Sequence, residues 1–383
     1  MHFNYSESDQ ILRRTIRDFS VRELESGARE RDATENFDVS LYGKLGELGL
    51  TGLGIDPERD GSGGGLLQSA IAIEELARFD PSMSLSLLAS LSLATVGIEH
   101  FGTDEQKEKY VPPLARGQAV GAFCLTEPNS GSDAAGGSAN VVAKDGGYVL
   151  NGSKTYITNG DVADTLLVFA TSEPGTRAKG IVSLIVKAGS PGLEARKQHD
   201  KMGMRASSTA DVFFDDDFVP AENLVASAGH GFKVAMQILD GSRPIIGAQA
   251  VGIAQGAMDL ALKQVKHRQQ FGKAIADFQG VQWMLADMAT QIDAARLLTY
   301  RAATLKDEGQ SFAKEASMAK LFASETATKV ADMSLQLHGG IGYFKEAPIE
   351  RYYRDAKVTE IYEGTSQIQR LVISRHVLAD AVR

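Results

Sequence analysis

The feature that most constrains the fold of this 383-residue chain is a change in hydrophobic spacing, from helical to strand-like and back again. Up to about residue 118, apolar residues recur every three or four positions, as at Ile11, Ile16 and Phe19. Between residues 119 and 226, short segments rich in β-branched and aromatic residues alternate with turn signals such as Asn151-Gly152. From residue 227 onward the helical spacing returns.

This pattern predicts a mainly α protein with a central β domain. We expect an all-α domain over residues 1–118, a sheet sandwich or barrel over 119–226, and a bundle of four or more long helices over 227–383. No helical segment separates the predicted strands, so a parallel doubly wound sheet is not expected.

Composition excludes several classes of protein. The net charge of −9 and the pI near 5.4, without any basic run, argue against a nucleic-acid-binding surface. The single cysteine, Cys124, excludes an internal disulfide, and the seven histidines show no ligand spacing, so we expect no metal site. The N-terminus lacks the cationic and apolar layout of a signal, which favours a cytoplasmic protein or a processed one of the mitochondrial matrix.

Residues 82–98, SMSLSLLASLSLATVGI, form an uncharged stretch that resembles a membrane span. The stretch is shorter than the roughly 20 residues that a span needs, and it is rich in serine. We therefore expect a buried helix that lines a core or a pocket, and no membrane span.

Near the C-terminus, the segment IYEGTSQIQ (residues 361–369) places Glu363 before a Gly-Thr-Ser turn. Two interpretations are open. In one, Thr365 or Ser366 caps the following helix and Glu363 is a solvated residue beside that cap. In the other, the flanking Ile361 and Tyr362 partly desolvate the carboxylate and raise its pKa toward neutrality, where a general base works best.

Two polar loops follow predicted strands of the middle domain. CLTEPNSGSD (124–133) leaves the hydroxyls of Thr126 and Ser132 free to bind a polar group, or is an ordinary serine-rich turn. YITNG (156–160) presents a ring, an aliphatic side chain and a hydroxyl in succession, which suits a flat heterocycle, or is a core tyrosine before an Asn-Gly turn. If both loops lie on one rim, they can hold two edges of a planar ring system.

Three further motifs interrupt the predicted helices of the bundle. HRQQFG (267–272) can contact a phosphate through Arg268, although such an arginine is commonly an ion-pair partner. QLHGGIGY (336–343) allows close backbone approach at its paired glycines, or caps a helix. LDGSRP (239–244) carries Asp240 and Arg243, which can bind the tail of a ligand or each other.

Taken together, these motifs resemble the acyl-CoA dehydrogenase family of flavoenzymes. The specific elements are CLTEPNSGSD, YITNG, MGMRASSTADVFFDD, HRQQFG, QLHGGIG and IYEGTSQIQR, in family order and at family spacing over essentially the whole chain. The resemblance implies an N-terminal helical domain, a central β-barrel and a C-terminal helical bundle, with one FAD per subunit of a homotetramer.

The resemblance also implies roles for particular residues. The flavin would be lined by Phe123, Leu125, Thr126, Ser132, Tyr156, Ile157 and Thr158. The FAD of a neighbouring subunit would be reached by Arg268, Gln270, Phe271, Gln336 and Gly340, while Thr365 and Gln367 would close over the cofactor. The acyl-CoA would contact Ser132, Asp240, Arg243, Glu363 and Gly364. Tyr156 stands where many members carry a tryptophan, and a tyrosine can still shield the ring.

The chemistry implied by the resemblance makes Glu363 the base that removes the α-proton of a saturated acyl-CoA. The β-hydrogen would leave as hydride to the flavin, giving the trans-2-enoyl-CoA, and the electrons would pass to an electron-transferring flavoprotein. The backbone N–H of Glu363 is a candidate donor to the thioester oxygen. Some branched-chain members carry their base where this chain has Ser242, which is not an acid, so Glu363 is favoured.

The substrate is less constrained by the residues. Residues 81–98 contain no cation of the kind that glutaryl-CoA-specific members use, which favours an uncharged acyl chain of short or medium length. Two alternatives stay open: an acyl-CoA oxidase that passes electrons to oxygen on the same scaffold, and a non-catalytic flavin-binding scaffold.

Overall fold

The structure, a computed structural model, describes residues 5–380 of the chain. The N-terminal part is helical: α1 (Glu7–Phe19), α2 (Ala28–Thr34), α3 (Val39–Glu47), α4 (Leu66–Ala77), α5 (Pro81–Leu88), α6 (Val96–Phe101) and α7 (Asp104–Ala115). Ser6 and Thr103 form capping boxes at the starts of α1 and α7. The predicted N-terminal helical domain is confirmed.

The serine-rich apolar stretch is a buried helix, as expected. α5 continues through a π-helical segment, Ala89–Thr95, into α6, and every residue from Pro81 to Thr95 is buried. By length and composition alone, Pro81–Phe101 and a second helix, Gly231–His267, are apolar enough to cross a membrane. Because 94% and 72% of their apolar windows lie inside the fold, both are core helices of this structure.

The middle part is a single eight-stranded sheet. Its strands are β1 (Gly121–Cys124), β2 (Asn140–Lys144), β3 (Gly147–Thr158), β4 (Thr165–Thr171), β5 (Ile181–Lys187), β6 (Leu193–Lys197), β7 (Thr209–Pro220) and β8 (Leu224–Ala226). They are hydrogen-bonded in the order β6-β7-β3-β2-β4-β5-β8, and β1 lies parallel to β4 beside this path.

The central β domain is confirmed, but the expected closed barrel is not found among residues 5–380. The two end strands of the order, β6 and β8, do not pair with each other. A barrel needs a continuous hydrogen-bonded seam between its end strands. β8 is three residues long, and after it the chain leaves the sheet for a helix, so such a seam does not form.

The C-terminal part is a helical bundle, as predicted. Its members are α8 (Gly231–His267), α9 (Gln279–Asp307), α10 (Ala313–His338), α11 (Ile349–Val358) and α12 (Ser366–Asp380), with a small hairpin of β9 (Gln269–Gln270) and β10 (Lys273–Ala274) after α8. On α9 one face is buried at three- and four-residue spacing, where Met288, Ile292, Ala295 and Thr299 are at most 2% exposed.

The N-terminal helices pack closely against the long helix α8. At Gly252 the approach of α4 is so close that an added Cβ would lie 2.3 Å from the Glu74 carbonyl oxygen. The side chain of Glu74 is buried and accepts a hydrogen bond from Arg296 Nε of α9 at 2.8 Å. A close helix crossing and a buried ion pair therefore join the N-terminal domain to the bundle.

We expect Gly252→Ala to destabilise the protein by about 1–3 kcal/mol, because the new methyl group meets a backbone oxygen that moves only if α4 moves. Gly43→Ala, inside α3, is the matched control, since no neighbouring atom lies within 4 Å of its added Cβ. This control should be neutral or stabilising by about 0.5–1 kcal/mol. Thermal unfolding measures both effects, and an unchanged midpoint for Gly252→Ala would contradict the close crossing.

Candidate active site

Glu363 lies in a sharp turn between α11 and α12. The turn holds Glu363 at φ 50° and Gly364 at φ 96°, both in the left-handed region. This conformation is ordinary for glycine and costly for glutamate, so contacts from outside the turn must maintain it. Thr365 Oγ1 accepts a hydrogen bond from the Ile368 N–H at 3.3 Å and caps α12, while Gln367 is exposed.

Side chains from three helices hold this turn. Lys320 Nζ of α10 donates a hydrogen bond to the Gly364 carbonyl oxygen at 2.8 Å. Gln369 Nε2 of α12 donates to the same oxygen at 2.9 Å and to the Glu363 carbonyl at 3.2 Å. Ser242 Oγ of α8 donates to Glu363 Oε2. Both the backbone of the turn and its carboxylate are therefore fixed in place.

The Glu363 side chain is partly buried, and its ionisation reflects that position. Burial raises the pKa of Glu363 to about 7, although the Ser242 hydrogen bond and the charges of Lys320 and Arg243 act in the opposite direction. The interpretation as a desolvated carboxylate is thus supported alongside the helix cap at Thr365. A carboxyl group with this pKa can take up or release a proton near neutral pH.

Tyr362 connects this turn to the buried serine-rich helix. Its hydroxyl donates to Gln249 Oε1 of α8. Gln249 Nε2 in turn donates to Ser84 Oγ at 3.0 Å and to the Pro81 carbonyl at 3.2 Å. Gln249 and Ser84 are fully buried, so these bonds fix the residue before Glu363 to α5.

A different face of the same helix is bonded to the edge of the sheet. Asn159 Nδ2 donates to the Ser86 carbonyl at 2.9 Å, and the Gly121 N–H donates to Ser90 Oγ at 2.8 Å. Ser86 and Ser90 are four residues apart, so they share a helical face, whereas Ser84, two residues before Ser86, lies about 160° around the helix from it. The Glu363 turn and the sheet edge therefore attach to one buried helix from different sides.

The two polar loops of the middle domain meet at this sheet edge. The Thr155 N–H donates to the Thr126 carbonyl at 3.0 Å, and Lys154 Nζ donates to the Leu125 carbonyl at 3.1 Å. A register shift in the pairing of β3 with β7 marks a bulge at this point. Tyr156 lies in the bulge with φ 57°, and its side chain is 70% exposed. The ends of β1 and β3 that carry these loops therefore form one rim, and its contact with a flavin stays a prediction.

The other residues predicted to line a flavin differ in exposure. Phe123 and Leu125 pack partly buried against the helical core, with the Phe123 ring 4.9 Å from that of Phe169. Ile157 is 2% exposed, so its side chain belongs to the sheet core. Partly buried Thr126 and Thr158 and exposed Ser132 complete the set.

Asp240 and Arg243 form an ion pair on α8, beside Ser242. Arg243 Nη1 lies 2.5 Å from Asp240 Oδ1, and burial raises the pKa of Asp240 against the attraction of Arg243. Arg243 is 5% exposed, yet its Nε has no hydrogen-bond partner among residues 5–380. A buried donor without an acceptor is available to a polar ligand.

Five predicted cofactor residues lie far from Glu363 within one chain. α8 rises about 1.5 Å per residue, so Ser242 and Arg268, just past its end, are on the order of 40 Å apart. Gln270 and Phe271 are exposed on the hairpin after α8, and Phe271 is 91% exposed. Exposed Gln336 and Gly340 lie at the distant end of α10 and just beyond it. Contact of these residues with a neighbouring subunit's cofactor stays a prediction.

Sequence analysis missed Lys320, Gln369 and the buried pair of Glu127 and Lys154. Lys154 Nζ lies 2.6 Å from Glu127 Oε1, with both side chains at most 4% exposed, and this pair fixes the loop after β1. Lys320 had a signal, because it is the single cation in the run ASMAKLFAS of a predicted helix. Within residues 5–380, no cluster of three or more His, Cys, Asp or Glu side chains is placed to hold a metal ion.

The raised pKa of Glu363 predicts a pH-dependent stability. The folded protein keeps this carboxyl protonated from its usual pKa of 4.5 up to about 7, so stability falls as pH rises through that range. We expect the stability advantage of Glu363→Gln over wild type to grow between pH 5 and pH 8, measured by thermal unfolding.

Glu360→Gln is the matched control with the opposite sign. Burial is outweighed there by hydrogen bonds from Lys357 and Thr328, which lower the pKa of Glu360, so its ionised form stabilises the fold at pH 8. Glu360→Gln should therefore lose stability at pH 8. A Glu363→Gln advantage that is constant with pH would contradict a desolvated carboxyl.

Comparison with known proteins places the chain in one family. Residues 6–118, 122–216 and 229–378 match the N-terminal, middle and C-terminal domains of acyl-CoA dehydrogenases. Acryloyl-CoA reductase (NADH) of Anaerotignum propionicum is 47% identical, over 99% of this chain and 96% of its own length.

Two solved structures superpose on almost the whole chain. Butyryl-CoA dehydrogenase of Megasphaera elsdenii is 42% identical with a TM-score of 0.96, covering 99% of this chain and 100% of that one. A chain from a structure of the electron transferring flavoprotein of Acidaminococcus fermentans is 46% identical, with a TM-score of 0.97 and the same coverage. The chain therefore belongs to the acyl-CoA dehydrogenase family, whose members are FAD-dependent oxidoreductases acting on CH–CH bonds.

Proposed function

We propose that this protein removes the α-proton and the β-hydride of a saturated acyl-CoA, giving the trans-2-enoyl-CoA, with Glu363 as the base. The observation that carries the proposal is the environment of Glu363. Its carboxyl group is partly buried, has a pKa of about 7 and is held in a left-handed turn by three helices. A solvated residue beside a helix cap would need neither burial nor contacts from three helices.

The rim formed by β1 and β3 fits a flavin. FAD, when bound, supplies the acceptor for the hydride from the β-carbon. The exposed ring of Tyr156 and the partly buried Phe123 and Leu125 offer uncharged surface for a planar heterocycle. Thr126 and Thr158 add hydroxyls at its edges. Ser132 would join this set, while Thr365 and Gln367 would cover the cofactor beside the base.

Glu363 takes the α-proton in its ionised form. A thioester acidifies its α-carbon only weakly, so hydrogen bonds to the thioester oxygen must stabilise the developing charge. The Glu363 N–H makes no hydrogen bond to any residue in the described range 5–380, so it is free to donate to that oxygen. One residue thus provides both the base and an oxyanion donor.

The polar part of the acyl-CoA would lie along α8. Asp240, Arg243 and Gly364 are placed around Ser242 and Glu363, and the unsatisfied Nε of Arg243 offers a hydrogen-bond donor. The acyl part would be short and uncharged. Residues 81–98 carry no ionisable side chain that would recognise a second carboxylate, and butyryl-CoA dehydrogenase is a 42% identical neighbour.

The physiological context belongs to the same proposal. The electrons would pass to an electron-transferring flavoprotein, in keeping with the 46% identical chain from the Acidaminococcus structure. A homotetramer would bring Arg268, Gln270, Phe271, Gln336 and Gly340 to the FAD of a neighbouring subunit. Exposed apolar side chains on the bundle, such as Trp283 and Phe322, support such an assembly. We propose a cytoplasmic location.

A second candidate function is the same reaction in reverse. The relative at 47% identity is an acryloyl-CoA reductase, which acts on an unsaturated acyl-CoA. A carboxyl with a pKa of about 7 is protonated in about half the molecules at neutral pH, so Glu363 can return a proton to the α-carbon as readily as it removes one. A pKa near 7 therefore supports either oxidation of a saturated acyl-CoA or reduction of an unsaturated one.

Glu363→Gln tests the proposed base. The variant should bind FAD and acyl-CoA but slow anaerobic flavin reduction by butyryl-CoA about 10²–10⁴-fold, since a positioned base is lost. Glu360→Gln, three residues away, is the control and should keep a near-normal rate. A near-normal rate for Glu363→Gln would place the base elsewhere.

A panel of acyl-CoAs tests the substrate. Anaerobic loss of flavin absorbance should be fastest with butyryl-CoA and much slower with octanoyl-, isobutyryl- and glutaryl-CoA. Fast bleaching by glutaryl-CoA would contradict a pocket without a cation. A flavin that no acyl-CoA reduces identifies a non-catalytic scaffold. If the flavin is reduced, air is then admitted, and rapid recovery of its absorbance identifies an oxidase.

A further inference from the structure

We propose that Lys320 is a positioning residue for this reaction: its buried ammonium group holds the Glu363–Gly364 turn and provides the cation that keeps the base ionised. The inference rests on the proposed function of Glu363 and assigns a role to a residue of α10 that touches neither substrate nor cofactor in that proposal.

Lys320 occupies a position at which a charge is costly. Its side chain is 0% exposed, and its helix buries alanine and serine side chains at the neighbouring core positions. Within residues 5–380, Lys320 forms no salt bridge, and the hydrogen bond that its ammonium makes is the one to the Gly364 carbonyl at 2.8 Å. A buried ammonium without a carboxylate partner is destabilising because it loses its hydration, so an apolar residue would be more stable there.

The hydrogen bond acts on the strained part of the turn. Glu363 at φ 50° and Gly364 at φ 96° lie in the left-handed region, and the Gly364 carbonyl belongs to the peptide that directly follows these two residues. The Gly364 carbonyl is prevented from rotating by two donors, Lys320 Nζ and Gln369 Nε2 at 2.9 Å. Loss of the Lys320 donor leaves the uncharged Gln369 amide as the one side-chain donor to the Gly364 carbonyl within residues 5–380.

The charge of Lys320 also acts on Glu363 more than on its other neighbours. The charged groups around it are Glu363, Arg243, Glu360 and Glu325. Three of these have partners of their own: Arg243 pairs with Asp240 at 2.5 Å, Glu360 with Lys357 at 2.8 Å and Glu325 with Arg370 at 2.6 Å. Glu363 has only the uncharged Ser242 as a direct partner, so the field of Lys320 falls on an unpaired carboxylate.

The pKa shifts of Lys320 and Glu363 both agree with an interaction between the two charges. Burial lowers the pKa of Lys320 to about 8, while Glu363 is the leading group that opposes the shift. Lys320 in turn lowers the pKa of Glu363 from the higher value that burial alone would give. Near neutral pH the protonated lysine therefore favours the ionised base, and removal of its charge raises the pKa of that base.

Three variants separate the two effects. Lys320→Met removes both the charge and the donor with a side chain of similar length, and Lys320→Gln removes the charge but keeps a donor. Lys329→Met is the matched control, because Lys329 is exposed on the same helix. FAD content and thermal midpoints establish that each variant folds, and crotonyl-CoA binding reports on the ligand site.

The readout is the rate of anaerobic flavin reduction by saturating butyryl-CoA between pH 6 and pH 9. For Lys320→Met we expect a rate at pH 7 about tenfold below wild type. The acid limb of the pH–rate profile, where the rate falls as Glu363 is protonated, should move about one pH unit higher. The affinity for crotonyl-CoA should change less than about threefold. Lys320→Gln should show the same shift of the limb with a smaller loss of rate, and Lys329→Met should match wild type.

An unmoved acid limb in Lys320→Met overturns the proposal, and if that variant does not fold, an unmoved limb in Lys320→Gln does so. Addition of Lys320→Met to Glu363→Gln should cause no further loss, and a further tenfold loss would show that Lys320 acts independently of the base. If no acyl-CoA reduces wild type, the proposed function fails separately. Lys320 is then tested by thermal unfolding at several pH values. Its replacement should move the pH range in which ionisation of Glu363 lowers the thermal midpoint to higher pH.

Discussion

A carboxylate that must ionise inside a protein is the constraint on which this site depends. Burial of Glu363 favours the protonated acid, and a pKa far above neutrality would leave no base at working pH. The opposing interactions are a hydrogen bond from the Ser242 hydroxyl and the positive charges of Lys320 and Arg243. Their balance leaves the pKa at about 7, where the group can serve as base or acid.

The buried serine-rich helix connects the Glu363 turn to the sheet. One of its faces is bonded through Ser84 and Gln249 to Tyr362, next to Glu363. Another is bonded through Ser86 and Ser90 to the sheet edge that carries the flavin-type rim. Because these bonds are buried and directional, one helix fixes the distance between Glu363 and the rim.

Much of the fold was predictable because its signals are local. Helical spacing before residue 118 and after 227, and the strand pattern between them, follow from side-chain periodicity, and the buried helix at residues 82–98 follows from its missing charge. Closure of the sheet was not predictable in this way. It depends on whether two end strands meet, and the three-residue β8 gives no sign of that in the sequence.

The site was predictable where a single motif contains it and not where distant segments meet. Glu363 and the rim loops stand in recognisable local patterns. The contacts of Lys320 with Gly364 and of Lys154 with Glu127 join residues 44 and 27 positions apart, and no local spacing pairs them. The side chain of Ile157 lies in the sheet core, a burial that its position in YITNG does not reveal, and its contact with a flavin stays a prediction.

We propose that Glu363 and a flavin at the β1–β3 rim act on opposite sides of the same two carbons of the acyl chain. This proposal is tested most directly by a crystal structure of the FAD-bound protein with an unreactive acyl-CoA analogue. We expect a Glu363 oxygen about 3–3.5 Å from the α-carbon, with the flavin facing the β-carbon from the other side. A Glu363 side chain turned to solvent, or a flavin bound away from that rim, would contradict it.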